Sequence, residues 1–191
     1  MEKLTGLNKL KTAVFISGTG SNFKNLLKFS KIKKAPISIN LVISNVNKAK
    51  GLKYADQINI KKKIFNFKDI DAEKKVLTLL KKEKINLICL AGFMKILSKN
   101  FIKKFNGKII NIHPSLLPKY KGLNTHYKAI ANKDKFAGCT VHYVTEKLDS
   151  GKIIMQKKIK IAARDNVISL AKKVLKQEHI LYPAAIIKIL D

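Results

Sequence analysis

An α/β fold, a mostly parallel sheet flanked by helices with an antiparallel strand pair in the C-terminal half, is predicted by three observations. Short apolar runs alternate with segments whose apolar residues recur at helical spacing, which is the grammar of strand, crossover helix, strand. The first run ends in a glycine loop, Gly18-Thr19-Gly20-Ser21-Asn22, that opens directly into such a segment. Late in the chain, AGCTVHYVT and KIIMQKKIKI alternate apolar with polar residues, as half-buried antiparallel strands do.

The elements follow in order. AVFIS (13–17) is a buried strand, and FKNLLKFSKI is the helix after the glycine loop. ISINLVIS (37–44) repeats the pattern, with an Asn-rich opening into a helix over KAKGLKYADQI. KIFNF and DAEKKVLTLLKKE give a third strand and helix, and NLICLAGF a fourth strand with a helix running through Phe105. KIINI (108–112) is a further strand; HPSLLPKYKG, with two prolines and a glycine, must be irregular. A helix near 125–131 precedes the two alternating strands, joined through EKLDSG, and one long helix from about Asn166 to Leu190 closes the chain. Residues 1–10 read as an N-terminal extension and 11–191 as one domain in two halves, 11–105 and 106–191.

Composition narrows the class. The 191 residues are 46% apolar, enough to fill an ordinary core, so disorder is excluded. No apolar run approaches the roughly eighteen residues a bilayer demands, and Met1 to Leu10 lacks a signal-peptide stretch, which predicts a cytoplasmic protein. Cys89 and Cys139 sit in apolar contexts and form neither a disulfide framework nor a spaced zinc site. The net charge of +28 draws attention to polyanions, but Arg164 is the sole arginine among 40 basic residues and tryptophan is absent. Nucleic-acid readers favour arginine forks and interleaved aromatics, so a lysine-rich solvated surface is the better reading, with no specific nucleic-acid partner.

Three places hold chemistry. The loop from Gly18 to Asn22 lies where free backbone N–H groups and a helix dipole favour an anion such as phosphate; the competing reading is a tight turn capped by Ser21 or Asn22. A dinucleotide fingerprint is excluded, because Phe23 stands at the third glycine and the second strand ends Ser44-Asn45 with no acid. Asn111 and His113 are two apart at a strand end, so both side chains share one face: an amide donor for an oxyanion beside an imidazole for a proton. The plainer alternative is that His113 merely begins a loop. Asp149, in Leu148-Asp149-Ser150-Gly151, reads alone as an Asx-type turn; set beside His113 it would orient the ring and raise its pKa. On the last helix, Glu178 interrupts the stripe Val167, Ala171, Val174, Leu181, Ala185, where a buried acid needs a partner or ligand and a marginal one reaches solvent. Cys139 and His142, three apart on a strand, point to opposite faces, and His126, His142 and His179 have no metal-ligand spacing.

Taken together, VFISGTGSNFKNLL, LAGFMKILS, INIHPSLLPKYKGLNTH, GCTVHYVTEKLDSGKII and QEHILYP resemble the phosphoribosylglycinamide formyltransferase family in sequence and order. The resemblance implies a Rossmann-like formyltransferase fold and transfer of a formyl group from 10-formyltetrahydrofolate, a co-substrate, to the amine of 5-phosphoribosylglycinamide in purine biosynthesis. It implies no metal, small-molecule partners, no membrane, and a monomer or homodimer. It makes 11–191 a single catalytic domain with a phosphate-binding half (11–105) and a folate and catalytic half (106–191), and the implied catalytic residues are Asn111, His113 and Asp149. Gly18, Thr19, Gly20, Ser21, Asn22 and Glu178 would bind the phosphorylated substrate. Met94, Lys95, Ile96, Leu97, Asn111, Val144, Thr145, Glu146 and Asp149 would line the folate site. Thr19, Lys121, Asn124 and Asp69 depart from the residues common in that family. Formyltetrahydrofolate hydrolases and methionyl-tRNA formyltransferases share the Asn, His and Asp set, but normally carry a further domain that 191 residues do not accommodate.

Overall fold

The computed structural model describes residues 9–190. The expected extension therefore falls outside the described residues over 1–8, and Leu10 already opens a strand. In chain order the elements are β1 (Leu10–Ile16), α1 (Ser21–Ser30), β2 (Ile37–Ser44), α2 (Leu52–Asp56), β3 (Lys61–Ile64), α3 (Ala72–Lys82) and β4 (Leu87–Leu90). There follow α4 (Lys99–Lys104), β5 (Lys108–His113), α5 (Thr125–Ala131), β6 (Phe136–Tyr143), β7 (Ile153–Lys160) and α6 (Val167–Lys188). The sheet order is β3-β2-β1-β4-β5-β6-β7. The chain divides into two compact units: residues up to Lys95 with 104–108 and Leu190, and residues 96–103 with 109–189.

In the first unit β1 is parallel to both β2 and β4, and β2 to β3. Val14, Phe15, Ile16, Leu41, Val42, Ile43, Leu87, Ile88 and Cys89 are all fully buried. Continuous rather than alternating burial is the mark of a parallel sheet covered on both faces. α1 contributes Phe23, Leu26 and Leu27, a spacing of three and four that lays one stripe on the core. Each such side chain taken from water stabilises the fold by roughly 1.5–3 kcal/mol. The second helix is shorter than the periodicity over 48–58 suggests: Gly51 stands at its N-cap and only Leu52–Asp56 are helical. β3 is the exposed edge, carrying Lys61, Lys62 and Lys63.

In the second unit β6 pairs antiparallel with β5 on one side and β7 on the other. The expected antiparallel pair is present, and β5 joins it as a third strand. α6 packs across β6 and β7. Its start is fixed by a reciprocal cap, in which the Asn166 side chain accepts from Ser169 N at 2.9 Å and Ser169 Oγ accepts from Asn166 N at 3.0 Å. The buried stripe is Leu170, Val174, Glu178, Leu181, Tyr182, Ala185 and Ile186. Val167, expected in that stripe, is 36% exposed, because it lies on the open first turn and Leu170 takes the inward position. The Tyr182 hydroxyl, fully buried, donates to the Ile110 carbonyl at 3.2 Å, tying the helix to β5. β7 is the other sheet edge and exposes Lys157, Lys158 and Lys160.

Candidate active site

The second unit brings Asn111, His113 and Asp149 together. Alternation along β5 puts Asn111 and His113 on one face, and register sets Asn111 opposite His142 and His113 opposite Thr140. Asp149 lies in the turn after β6 with φ 44°. Gly151 packs so tightly on the Tyr143 carbonyl that a β-carbon there would overlap it, which folds the turn back over the strand. The Asp149 carboxylate does not make the local Asx bond that a free turn would favour. Oδ2 instead accepts from Gly122 N at 2.8 Å and lies 3.3 Å from His113 Nδ1, and Oδ1 lies 3.6 Å from His142 Nε2.

Proton positions follow from the partners. His142 Nδ1 lies 2.9 Å from the Tyr143 carbonyl, which can only accept, so this nitrogen carries the proton. In the neutral ring Nε2 accepts from Asn111 Nδ2 at 3.2 Å, which orients the Asn111 amide and leaves its second N–H to donate, whereas in the protonated ring Nε2 donates toward Asp149 Oδ1, 3.6 Å away. His113 faces an acceptor at each nitrogen: the Tyr120 carbonyl 2.8 Å from Nε2 and the Asp149 carboxylate at Nδ1. Two acceptors are satisfied in full only by the doubly protonated ring. Burial nevertheless pulls the His113 pKa below the ordinary histidine value, and the Tyr120 carbonyl and Asp149 only partly offset it. Asp149 does raise the pKa of His113, as its position predicts, but desolvation wins. For Asp149 itself burial acts upward, and His142, the Gly122 N–H and His113 outweigh it, holding the carboxyl below its usual range.

A histidine with a depressed native pKa takes up its proton more readily in the unfolded chain, so its contribution lowers stability as pH falls through the ordinary histidine value, about 6.5. Asp149→Asn removes the attraction that props up the imidazolium. Proton NMR of the His113 ring is expected to show its titration midpoint moving further toward acid in that variant; an unmoved or raised midpoint contradicts the pairing.

The loop between β5 and α5 is held at several points. Thr140 Oγ1 donates to the Ser115 carbonyl at 2.6 Å and accepts from Leu117 N at 3.1 Å, while Gln156 Nε2 donates to the Leu117 carbonyl at 2.7 Å. His142 and Tyr120 are the members that sequence reasoning missed. The signal for His142 was the antiparallel register of INIH against TVHY, which sets it beside Asn111.

Glu178 is 7% exposed on α6, and burial together with the Glu178 charge pushes the Cys139 thiol up to about 12. Of the stretch expected to line a folate site, Met94, Lys95 and Ile96 are exposed and Leu97 is buried. Met94 N donates to Ser17 Oγ at 2.7 Å. Val144 is half-buried and Thr145 exposed; exposed Glu146 pairs with Lys99 on α4 at 2.9 Å.

In the first unit, the loop from Gly18 to Asn22 leads into α1 with Gly20 at the N-cap, φ 71°, and no side-chain cap. Ser21 and Asn22 lie inside the helix, so the alternative of a side-chain-capped turn does not hold. The first turn has no acid, leaving its N–H groups and the positive end of the helix dipole suited to an anion. The loop is braced from behind: Gly51 N donates to the Gly18 carbonyl at 2.9 Å, and a β-carbon on Gly20 would stand 2.6 Å from Gly51 Cα. Ser17 Oγ donates to Asn45 Oδ1 at 2.5 Å, linking the ends of β1 and β2. Among the described residues, no group of three or more His, Cys, Asp or Glu is placed to hold a metal ion, and no helix is long and apolar enough to cross a membrane.

This fold and this polar cluster occur in a chain that belongs to the formyl transferase family, whose model matches residues 10–186. Within that family it is similar to phosphoribosylglycinamide formyltransferases. The protein of that name from Haemophilus influenzae is 41% identical over 180 residues, covering 92% of this chain and 85% of its own. The crystal structure of the phosphoribosylglycinamide formyltransferase from Brucella melitensis superposes with a TM-score of 0.90 at 41% identity, covering 95% of this chain and 96% of that one. The human trifunctional purine biosynthetic protein adenosine-3 is 40% identical over 182 residues; they make up 93% of this chain and 18% of that protein.

Proposed function

We propose that this chain transfers the formyl group of 10-formyltetrahydrofolate to the amine of 5-phosphoribosylglycinamide, giving N-formylglycinamide ribonucleotide and tetrahydrofolate in de novo purine biosynthesis. The observation that carries the reading is the connected set Asn111, His142, Asp149 and His113, a fixed amide donor beside an imidazole with a carboxylate on its Nδ1. The names of its relatives agree with it.

The neutral amine attacks the formyl carbon and forms a tetrahedral oxyanion. The free N–H of Asn111 and the His113 imidazolium stabilise that charge, since donors aimed in advance cost no reorganisation when it appears. Asp149 accepts from Nδ1 and keeps the proton available. As the intermediate collapses, the bond from the formyl carbon to the folate nitrogen breaks, that nitrogen gains a proton and the new amide nitrogen loses one. A water beside the imidazolium relays the proton between them, while the two His113 N–H groups stay on the Tyr120 carbonyl and Asp149. Neither a metal nor a covalent enzyme intermediate is needed. The helix N-terminus at Gly18–Asn22 binds the substrate phosphate, and Glu178 binds the glycinamide part. Met94 to Leu97 and Val144 to Asp149 receive the folate. The reading places the reaction in the cytoplasm, with the enzyme as a monomer or homodimer.

Absorbance-monitored turnover of a 10-formylfolate donor, with and without the ribonucleotide, tests the reading. Turnover is expected only when the nucleotide is present. Donor loss without it would instead indicate hydrolysis, and no turnover under either condition would reject formyl transfer to this acceptor.

A further inference from the structure

We propose that the Tyr120 side chain, clamped by Asp134 and Asn132, is a positioning device for His113, because it fixes the backbone carbonyl that holds the Nε2 proton. The inference deepens the formyl-transfer reading and rests on it for its kinetic consequence, while its structural content stands separately.

Tyr120 is a non-glycine residue at φ 57°, a conformation that persists only where surrounding contacts over-determine it. Those contacts converge on the phenol. Its hydroxyl donates to Asp134 Oδ2 at 2.8 Å and accepts from Asn132 Nδ2 at 2.7 Å. The other Asp134 oxygen is held by Lys119 Nζ at 2.6 Å, and the same ammonium lies 4.9 Å from the Tyr120 ring centroid. Asn132 and Asp134 belong to the turn that ends α5, and Asp134 N donates to the Ala129 carbonyl at 3.0 Å. The side chain therefore ties an irregular loop to a helix end, and the carbonyl of the same residue is delivered 2.8 Å from His113 Nε2. Ser115 Oγ also donates to the Lys119 carbonyl at 2.6 Å, and lies 3.3 Å from the Tyr120 carbonyl.

The groups that set the charge on His113 come from three sides: Asp149 at Nδ1, His142 from β6, and Lys128 from α5. The Tyr120 carbonyl supports the protonated ring and His142 and Lys128 oppose it. A looser carbonyl shifts that balance toward the neutral ring, which leaves less imidazolium for the oxyanion.

The test is the NMR titration of the His113 ring in the free protein, read beside kcat, KM and melting temperature. Tyr120→Phe keeps the ring and removes the clamp. Its His113 midpoint is expected to move toward acid by roughly half a pH unit, and kcat to fall about tenfold with KM nearly unchanged, the pattern of a lost transition-state interaction. Asp134→Asn, which can still accept from the phenol, is expected to retain most of the wild-type midpoint and kcat. Asn132→Ala, on an exposed side chain, provides a second variant whose folding is not at risk, with a smaller shift in the same direction. A His113 midpoint unmoved in both Tyr120→Phe and Asn132→Ala overturns the proposal. If the wild-type protein transfers no formyl group, the functional reading fails while the titration still judges the clamp.

Discussion

Replacing His113 or Asn111 with alanine is expected to lower turnover roughly 100- to 1,000-fold, with KM for both substrates little changed. Each variant removes a group whose interaction strengthens only when the formyl oxygen becomes an oxyanion, so the loss should fall on kcat. For Asn111 the amide orientation is already fixed by His142, and Asn111→Asp, which replaces the donor by an acceptor of equal size, should be as inactive as Asn111→Ala. Removing the His113 ring also strips a partner from the Tyr120 carbonyl and from Asp149, and a buried polar group left unpaired costs about 1–3 kcal/mol. His113→Gln, with a donor at a similar reach, separates that stability cost from chemistry. It should melt closer to wild type and remain slow. Wild-type turnover in His113→Ala or Asn111→Ala would reject the assigned roles.

Gly20→Ala is expected to raise KM for the phosphorylated substrate at least about tenfold, with a melting temperature lower by roughly 5–10 °C. The residue sits at φ 71°, where an L side chain is strained by about 1 kcal/mol, and its new β-carbon would meet the Gly51 backbone at 2.6 Å. Neither partner is a flexible side-chain tip, so the loop must part from the segment behind it, and the N–H groups at the start of α1 turn away with it. Gly18 supplies the control, since a β-carbon there has nothing within 4 Å, and Gly18→Ala should melt with the wild type. Unchanged melting in Gly20→Ala, or an equal fall in Gly18→Ala, would show that this close approach does not brace the loop.

Much of this architecture was legible because local rules and packing agree. AVFI (13–16), LVI (41–43) and LICLA (87–91) are apolar without interruption, and a strand covered on both faces asks for that. The pairing of Asn111 with His113 was legible for the same reason, since a strand period of two needs no tertiary information. His142 was harder to see. It stands opposite Asn111 through a register formed across a long, irregular connection, and a three-residue spacing from Cys139 gave no sign of it. Tyr120 was hidden more deeply, because its contribution is a carbonyl in a left-handed backbone state, and no side-chain pattern encodes where a main-chain oxygen points. Glu178 was visible as an acid among apolar neighbours, and in the structure it is buried and its charge helps raise the Cys139 thiol.

The two edge strands bear on how the molecule behaves in company. β3 presents Lys61, Lys62 and Lys63, and β7 presents Lys157, Lys158 and Lys160, each at a margin where unpaired main-chain groups invite another strand to dock. Bringing two such margins together crowds ammonium groups against one another before any ladder bond forms. The lysines that look like compositional excess thus act as a built-in deterrent to fibre-like association, strongest in dilute salt and weakened wherever counterions accumulate.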